Sequence, residues 1–205
     1  MKVTGYITVS PASVEVGISA RTNWELHPAA PEVDLGVLGK TGESGIWKRF
    51  RAPFTEFRKA SRHLELHYPE DSKIEGEKLG VVDQLARFCP GGDSQGRWTN
   101  EALVYLVDMF PKALERFDQT ASSETPGIAG NSWYPTVTLN VDLKKRLPAE
   151  GVEWLHSRVI NKVMRDGRMD IEVVAMDASG EVVAVATQVG LVMSASRNVG
   201  RRQKL

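Results

Sequence analysis

The sequence predicts an α+β fold in which one curved antiparallel sheet wraps around a central helix. Three observations carry that expectation. The last third of the chain reads as a meander of strands at about residues 134–145, 152–164, 168–176 and 181–193. Two further alternating runs precede it, 60–68 (ASRHLELHY) and 80–89 (GVVDQLARFC), separated by a charged loop. Between the two groups lies a stripe of Leu103, Val107, Phe110 and Leu114, spaced as the buried side of a helix.

Taken in order, residues 3–10 (VTGYITVS) alternate like a strand, with nothing before them to serve as a hairpin partner. Residues 28–45 (PAAPEVDLGVLGKTGESG) are rich in Pro and Gly with scattered acids, the composition of an extended linker. This divides the chain into residues 1–27, the last strand of an earlier domain, a linker over 28–45, a folded domain over 46–196, and a basic tail over 197–205. Thr99 or Asn100 is placed to cap the helix, and Glu101 suits the positive end of its dipole. Pro111 has no N–H for the carbonyl of Val107 and crowds the preceding turn, so the first helical segment is expected to end near Asp108. A Ser/Thr/Gly-rich loop follows over 119–132. Asp166-Gly167 is a two-residue hairpin signal, and Asp177 to Gly180 supplies a second turn.

Charge narrows the choice of partner. The 26 basic and 26 acidic side chains balance, which leaves no electrostatic footprint for DNA, RNA or an anionic membrane. A small molecule is the expected partner. Cys89 is the only cysteine, so neither a disulfide framework nor a thiolate metal cluster can form, as suits a reducing compartment. No apolar leader opens the chain, and no run is long enough to span a bilayer.

Within the most apolar strand, VVAVATQVGLVM, stands one primary amide, Gln188. Alternation puts Ala184, Ala186, Gln188, Gly190 and Val192 on one face, so the amide is expected among small residues that leave room around it. A buried amide must find partners or cost a few kcal/mol, so this is either a core Gln bonded to backbone or a site. Three other motifs compete. Gly92 to Gly96 (GDSQG) matches a nucleophile elbow around Ser94, but an elbow needs a parallel sheet with Asp and His downstream. Here the downstream sheet is antiparallel, and His156 is the only later histidine. His63 and His67 in HLELH would lie about 13 Å apart on a strand, too far to share one ion. GGDSQG lacks the Lys-Ser/Thr that closes a phosphate loop.

The stretches NWELHPAAPEVDL, WKRFRAPFTEFRKASRHLEL, RWTNEALVYLVDMFP and the run from WYPTVTLNVDL to TQVGLVM carry a resemblance to a known family. They resemble the C-terminal half of the double-hotdog, type II acyl-CoA thioesterases, most closely their fungal thioesterase-like members, over most of residues 23–193. The resemblance implies a hotdog fold and a catalytic trio: Asp108 in YLVD at the end of the central helix, Thr138 in VTLNVDL on the next strand, and Gln188 in ATQVG on the last. It implies neither cofactor nor metal. The residue types suit the role. A carboxylate at a helix C-terminus feels the negative end of the dipole, and burial would add desolvation, so both make it readier to take up a proton. A hydroxyl and an amide orient water. In the family picture the trio holds water against a thioester carbonyl, and backbone N–H groups at the helix N-terminus polarise the carbonyl oxygen.

Full family members carry a complete first hotdog, whereas this chain retains what reads as its final strand, residues 3–10, and is therefore read as N-terminally truncated. A lone half leaves a sheet edge open, and a homodimer would fill it. The expected function is hydrolysis of an acyl-CoA or carrier-bound acyl thioester to the free acid. The alternatives are release or cyclisation of a polyketide or fatty-acyl thioester in specialised metabolism, or a catalytically silent acyl-binding module. The expected location is cytoplasmic. The terminal Gln203-Lys204-Leu205 also approaches a Ser-Lys-Leu peroxisomal address without its small first residue.

Overall fold

The alternating runs of the C-terminal third pair much as their period requires. In the computed structural model the described residues are 4–9, 17–20, 22–50, 59–70, 80–92, 96–110, 112–114 and 132–194. They form two units, Met1–Ala30 and Pro31–Leu205. In the first, residues 4–9 form no strand, and Tyr6, Ile7 and Val9 are exposed. The strand expected over 3–10 is therefore absent from residues 4–9, where nothing among the described residues supplies the ladder hydrogen bonds a strand needs.

The second unit opens with helix α1 (Leu35–Thr41), followed by strands β1 (Glu43–Ser44) and β2 (Trp47–Phe50). This corrects the reading of 28–45 as linker throughout. Asp34 Oδ1 accepts the Val37 N–H at 2.9 Å as an N-cap, and Gly42, at φ 79°, ends the helix by donating its N–H to the Leu38 carbonyl. Gly36 and Gly39 weaken the local helix preference, but Leu38 is fully buried against Trp47, Leu85 and Trp154. That burial outweighs the intrinsic cost of about 1 kcal/mol per glycine.

The remaining strands are β3 (Leu64–Pro69), β4 (Val81–Phe88), β5 (Ser132–Trp133), β6 (Thr136–Leu143), β7 (Trp154–Ile160), β8 (Met164–Arg165), β9 (Arg168–Met176), β10 (Val182–Leu191) and β11 (Met193–Ser194). The main sheet runs β1-β2-β3-β4-β7-β9-β10-β6, with β8 on β9, and β5 pairs with β11 in a second small sheet. Residues 60–63, read as the start of a strand, instead lie in a 3-10 turn, Lys59–His63. The hairpin signal at Asp166-Gly167 is realised with positive φ at both residues, 51° and 70°. Asp177 Oδ1 organises the other turn by accepting from the backbone of Ser179 and Glu181.

One face of the sheet curves around helix α2 (Leu103–Val107), whose Leu103, Leu106 and Val107 pack with Val82, Ala86, Leu155, Val159, Ile171, Val173 and Ala175. Phe110 and Leu114 join the same core, as the stripe predicts. Neither Thr99 nor Asn100 caps α2, which starts after Ala102 with no side-chain cap. Asn100 instead accepts from the Leu147 N–H at 2.9 Å and pins a distant loop.

The opposite face holds a second layer, in which buried polar groups lie beside the Leu38, Trp47, Leu85 and Trp154 cluster. Arg158 forks onto Asp83, Nε to Oδ1 at 3.0 Å and Nη2 to Oδ2 at 2.8 Å, and His156 Nε2 lies 2.9 Å from Oδ1. Burial pushes the Asp83 carboxyl up, but these hydrogen bonds from His156 and Arg158 outweigh it and hold it below the usual range. His67 is fully buried beside Trp154, with neither ring nitrogen hydrogen-bonded. Burial first, then the Arg49 and Arg87 charges, lower its pKa from 6.5 to about 4. Glu65 Oε1 is 3.5 Å away, yet the ring is neutral at pH 7, so Glu65 pairs with Arg49 and Arg87 instead.

A pH dependence follows from His67. Between pH 6.5 and about 4 the unfolded chain takes up a proton that the folded ring refuses, so stability falls as pH drops through that window and this contribution levels off below it. The thermal midpoint is expected to fall between pH 7 and 4, less steeply in His67→Leu. Identical slopes in the two proteins would assign the pH dependence elsewhere.

Candidate functional site

Three side chains from three elements meet beside α2. Asp108 follows its last residue, at φ −89° and ψ 1°, where the helix gives way as the sequence predicts ahead of Pro111. Gln188 is 3% exposed on β10 and donates through Nε2 to Asp108 Oδ1 at 2.9 Å and to Thr136 Oγ1 at 2.6 Å. Thr136 opens β6, and its hydroxyl donates to the same Asp108 Oδ1 at 3.3 Å. The triangle is closed. Because a carboxylate only accepts, it fixes which end of the Gln188 amide faces it. Gln188 Oε1, on the other end, is buried without a partner among the described residues.

The structure brings Asp108 and Gln188 together but not Thr138. In the register between β10 and β6, Gln188 faces Leu139 and Val189 faces Thr138, yet Gly190 faces Thr136. Val137 is therefore an extra residue in β6, a bulge. On one side of it Leu139 and Val141 turn into the core, and Thr138 points to the opposite, exposed side. Past the bulge Thr136 returns to the face of Gln188, while Val137 is 52% exposed. Strict alternation cannot reveal such a switch. The available signal was Gly190, since a glycine inside a strand often marks a bulge or a close approach.

The room expected around Gln188 is also reduced. Ala184 and Ala186 are buried on its face, but a Cβ at Gly190 would lie 2.5 Å from Met169 Cε, so the Met169 side chain fills that space. On α2, burial and then the charge of Asp108 push the Tyr105 phenol up, so it stays protonated, and it donates to the Ala60 carbonyl at 2.5 Å.

Ser94 of the elbow motif lies outside the described residues, as do most of the loop over 119–132 and the tail over 197–205. His63 Nδ1 accepts from the Gly91 N–H at 2.9 Å, away from the buried His67. Among the described residues no group of three His, Cys, Asp or Glu could hold a metal, and no helix is long and apolar enough to cross a membrane.

An antiparallel sheet curved around one buried helix defines the hotdog class of α+β folds. A hotdog-fold protein of Alicyclobacillus acidocaldarius superposes with TM-score 0.57 at 16% identity, over 87% of this chain and 58% of that one. A protein described as a thioesterase II from Thermobifida fusca gives TM-score 0.54 at 17% identity, over 85% and 58%. Within that class the chain belongs to the acyl-CoA thioesterase C-terminal domain family, whose model matches residues 40–192. A curated relative, the thioesterase-like protein TwmA of Talaromyces wortmannii, is 29% identical over 98% of this chain. The chain spans 63% of that relative's length.

Proposed function

We propose that the chain hydrolyses an acyl thioester, carried on CoA or a carrier protein, to the free acid with a water held by Asp108, Thr136 and Gln188. One observation carries the reading: Gln188 locks a carboxylate and a hydroxyl together through one end of its amide and keeps the other end, Oε1, buried and unpartnered. A buried acceptor without a partner costs about 1–3 kcal/mol, which a bound water would relieve. Such a water donates one proton to Asp108 as its oxygen attacks the carbonyl carbon. The C–S bond then breaks, and the proton passes to the departing thiolate, leaving acid and thiol. Family membership supports the thioester as the substrate class.

Release of free thiol from medium-chain and long-chain acyl-CoA by the purified chain, with the acid identified by mass spectrometry, tests this. Thiol release with a cyclised or transferred acyl product would favour specialised metabolism. No release above the spontaneous rate from CoA or carrier thioesters would leave a silent acyl-binding module.

Assembly is part of the same reading. β6 is an outer strand of the sheet and carries Thr136, and Val137 and Leu143 on it are 52% and 51% exposed. Among the described residues no strand pairs with its outer side, and a partly apolar edge is a template for pairing. A second copy filling it would make a symmetric dimer of twice 22.6 kDa. Light scattering at micromolar concentration is expected to give that mass, and a stable monomer would remove the idea.

A further inference from the structure

We propose that Gln84 is a positioning residue for this site, holding the end of α2 that carries Asp108 in register with Gln188. The inference rests on the role given to Asp108 above. Gln84 lies on β4, 1% exposed, on the face that curves around α2. Its Nε2 donates to the Met109 carbonyl at 2.9 Å and to Ser157 Oγ on β7 at 2.7 Å. Its Oε1 accepts from the Tyr68 hydroxyl on β3 at 3.0 Å. Both amide protons and the carbonyl are thus used, and the amide cannot turn without losing them.

Met109 immediately follows Asp108 and precedes the buried Phe110, whose carbonyl accepts the Ala113 N–H at 3.0 Å. The last carbonyls of a helix have no intrahelical donor. α2 has only five residues, no glycine in the left-handed conformation closes its end, and Pro111 has no N–H to offer. Asp108 itself sits at φ −89° and ψ 1°, in the sparsely populated bridge region. Before that carbonyl, the Met109 N–H donates to Leu106 at 2.9 Å. At the carbonyl itself, Gln84 provides the side-chain restraint. Two glutamines on two strands therefore fix one short segment, Gln84 by the backbone at Met109 and Gln188 by the carboxylate at Asp108. A general base misplaced by about 1 Å can cost 10²-fold in rate, so this backbone restraint bears on turnover.

A Gln84 that merely filled the core would affect stability alone, and the variants separate the two cases. Gln84→Met keeps the bulk and removes the donor. It is expected to lower kcat at least fivefold with KM within twofold. Ser157→Ala leaves the bond to Met109 intact, so kcat is expected within twofold of wild type even if the thermal midpoint drops. Gln84→Glu can donate to Met109 only when protonated, and burial favours that form. Its kcat is expected to approach wild type at the acid end of the profile and to fall with an ionisation that wild type lacks.

A readout independent of turnover is the NMR resonance of the Gln188 side-chain amide, which bonds to Asp108. Gln84→Met is expected to shift it, and Ser157→Ala to leave it in place. If wild type cleaves no thioester but that shift appears, the positioning role holds and the hydrolase reading fails. An unmoved Gln188 resonance with unchanged kcat in Gln84→Met would overturn the proposal. Should Gln84→Met fail to fold, the pH profile of Gln84→Glu decides it, and a profile parallel to wild type would count against it.

Discussion

Asp108→Asn is expected to lower acyl-thioester turnover at least tenfold, and by about 10²-fold if the carboxylate acts as general base. The substitution is nearly isosteric, and the new amide can present its oxygen to Gln188 Nε2 and the Thr136 hydroxyl in place of Asp108 Oδ1. The triangle therefore survives while its only proton acceptor of suitable strength is lost. Gln188→Met, which removes both donated hydrogen bonds and the unpartnered Oε1, is expected to cost at least tenfold as well. Free-thiol release, with circular dichroism to confirm folding, measures both. Wild-type rates in the two variants would remove the site assignment.

The second large effect separates two threonines that stand two positions apart. Thr136→Val removes the hydroxyl that accepts from Gln188 and donates to Asp108, and turnover is expected to fall at least tenfold. Thr138→Val alters an exposed position on the other side of β6, and the rate is expected to stay within about twofold. Valine keeps the branched shape and strand preference, so stability should change little in either. A reversed pattern, with Thr138 sensitive and Thr136 silent, would mean that β6 is shifted by one residue against β10, which brings Thr138 rather than Leu139 opposite Gln188.

These two threonines mark where the sequence stops being legible. Period carries the strands β4, β9 and β10, the buried stripe of α2 and the end of that helix ahead of Pro111, because each follows from local chemistry. Period singles out Gln188, whereas its association with Asp108 comes from the family resemblance alone. Composition misleads at α1, where Gly36 and Gly39 resemble linker, while the Asp34 and Gly42 caps and the burial of Leu38 against Trp47, Leu85 and Trp154 make a helix. At residues 4–9 alternation suggests a strand, but alternation supplies no partner. Thr136 is hidden for a different reason. A single extra residue reverses which side chains face inward, and nothing local in VTLNVDL announces it. The packing of Met169 against Gly190 is likewise a contact between strands, invisible along either one.

A single turnover in water enriched in oxygen-18, with protein in excess over acyl-CoA, tests the central claim most directly. If Asp108, Thr136 and Gln188 hold a water that attacks the thioester, the first acid formed carries one solvent oxygen and the Asp108 carboxylate carries none. If the first acid instead contains no solvent oxygen and the label is found in Asp108 after peptide mass spectrometry, the carboxylate has attacked the carbonyl itself and the held water is not the nucleophile.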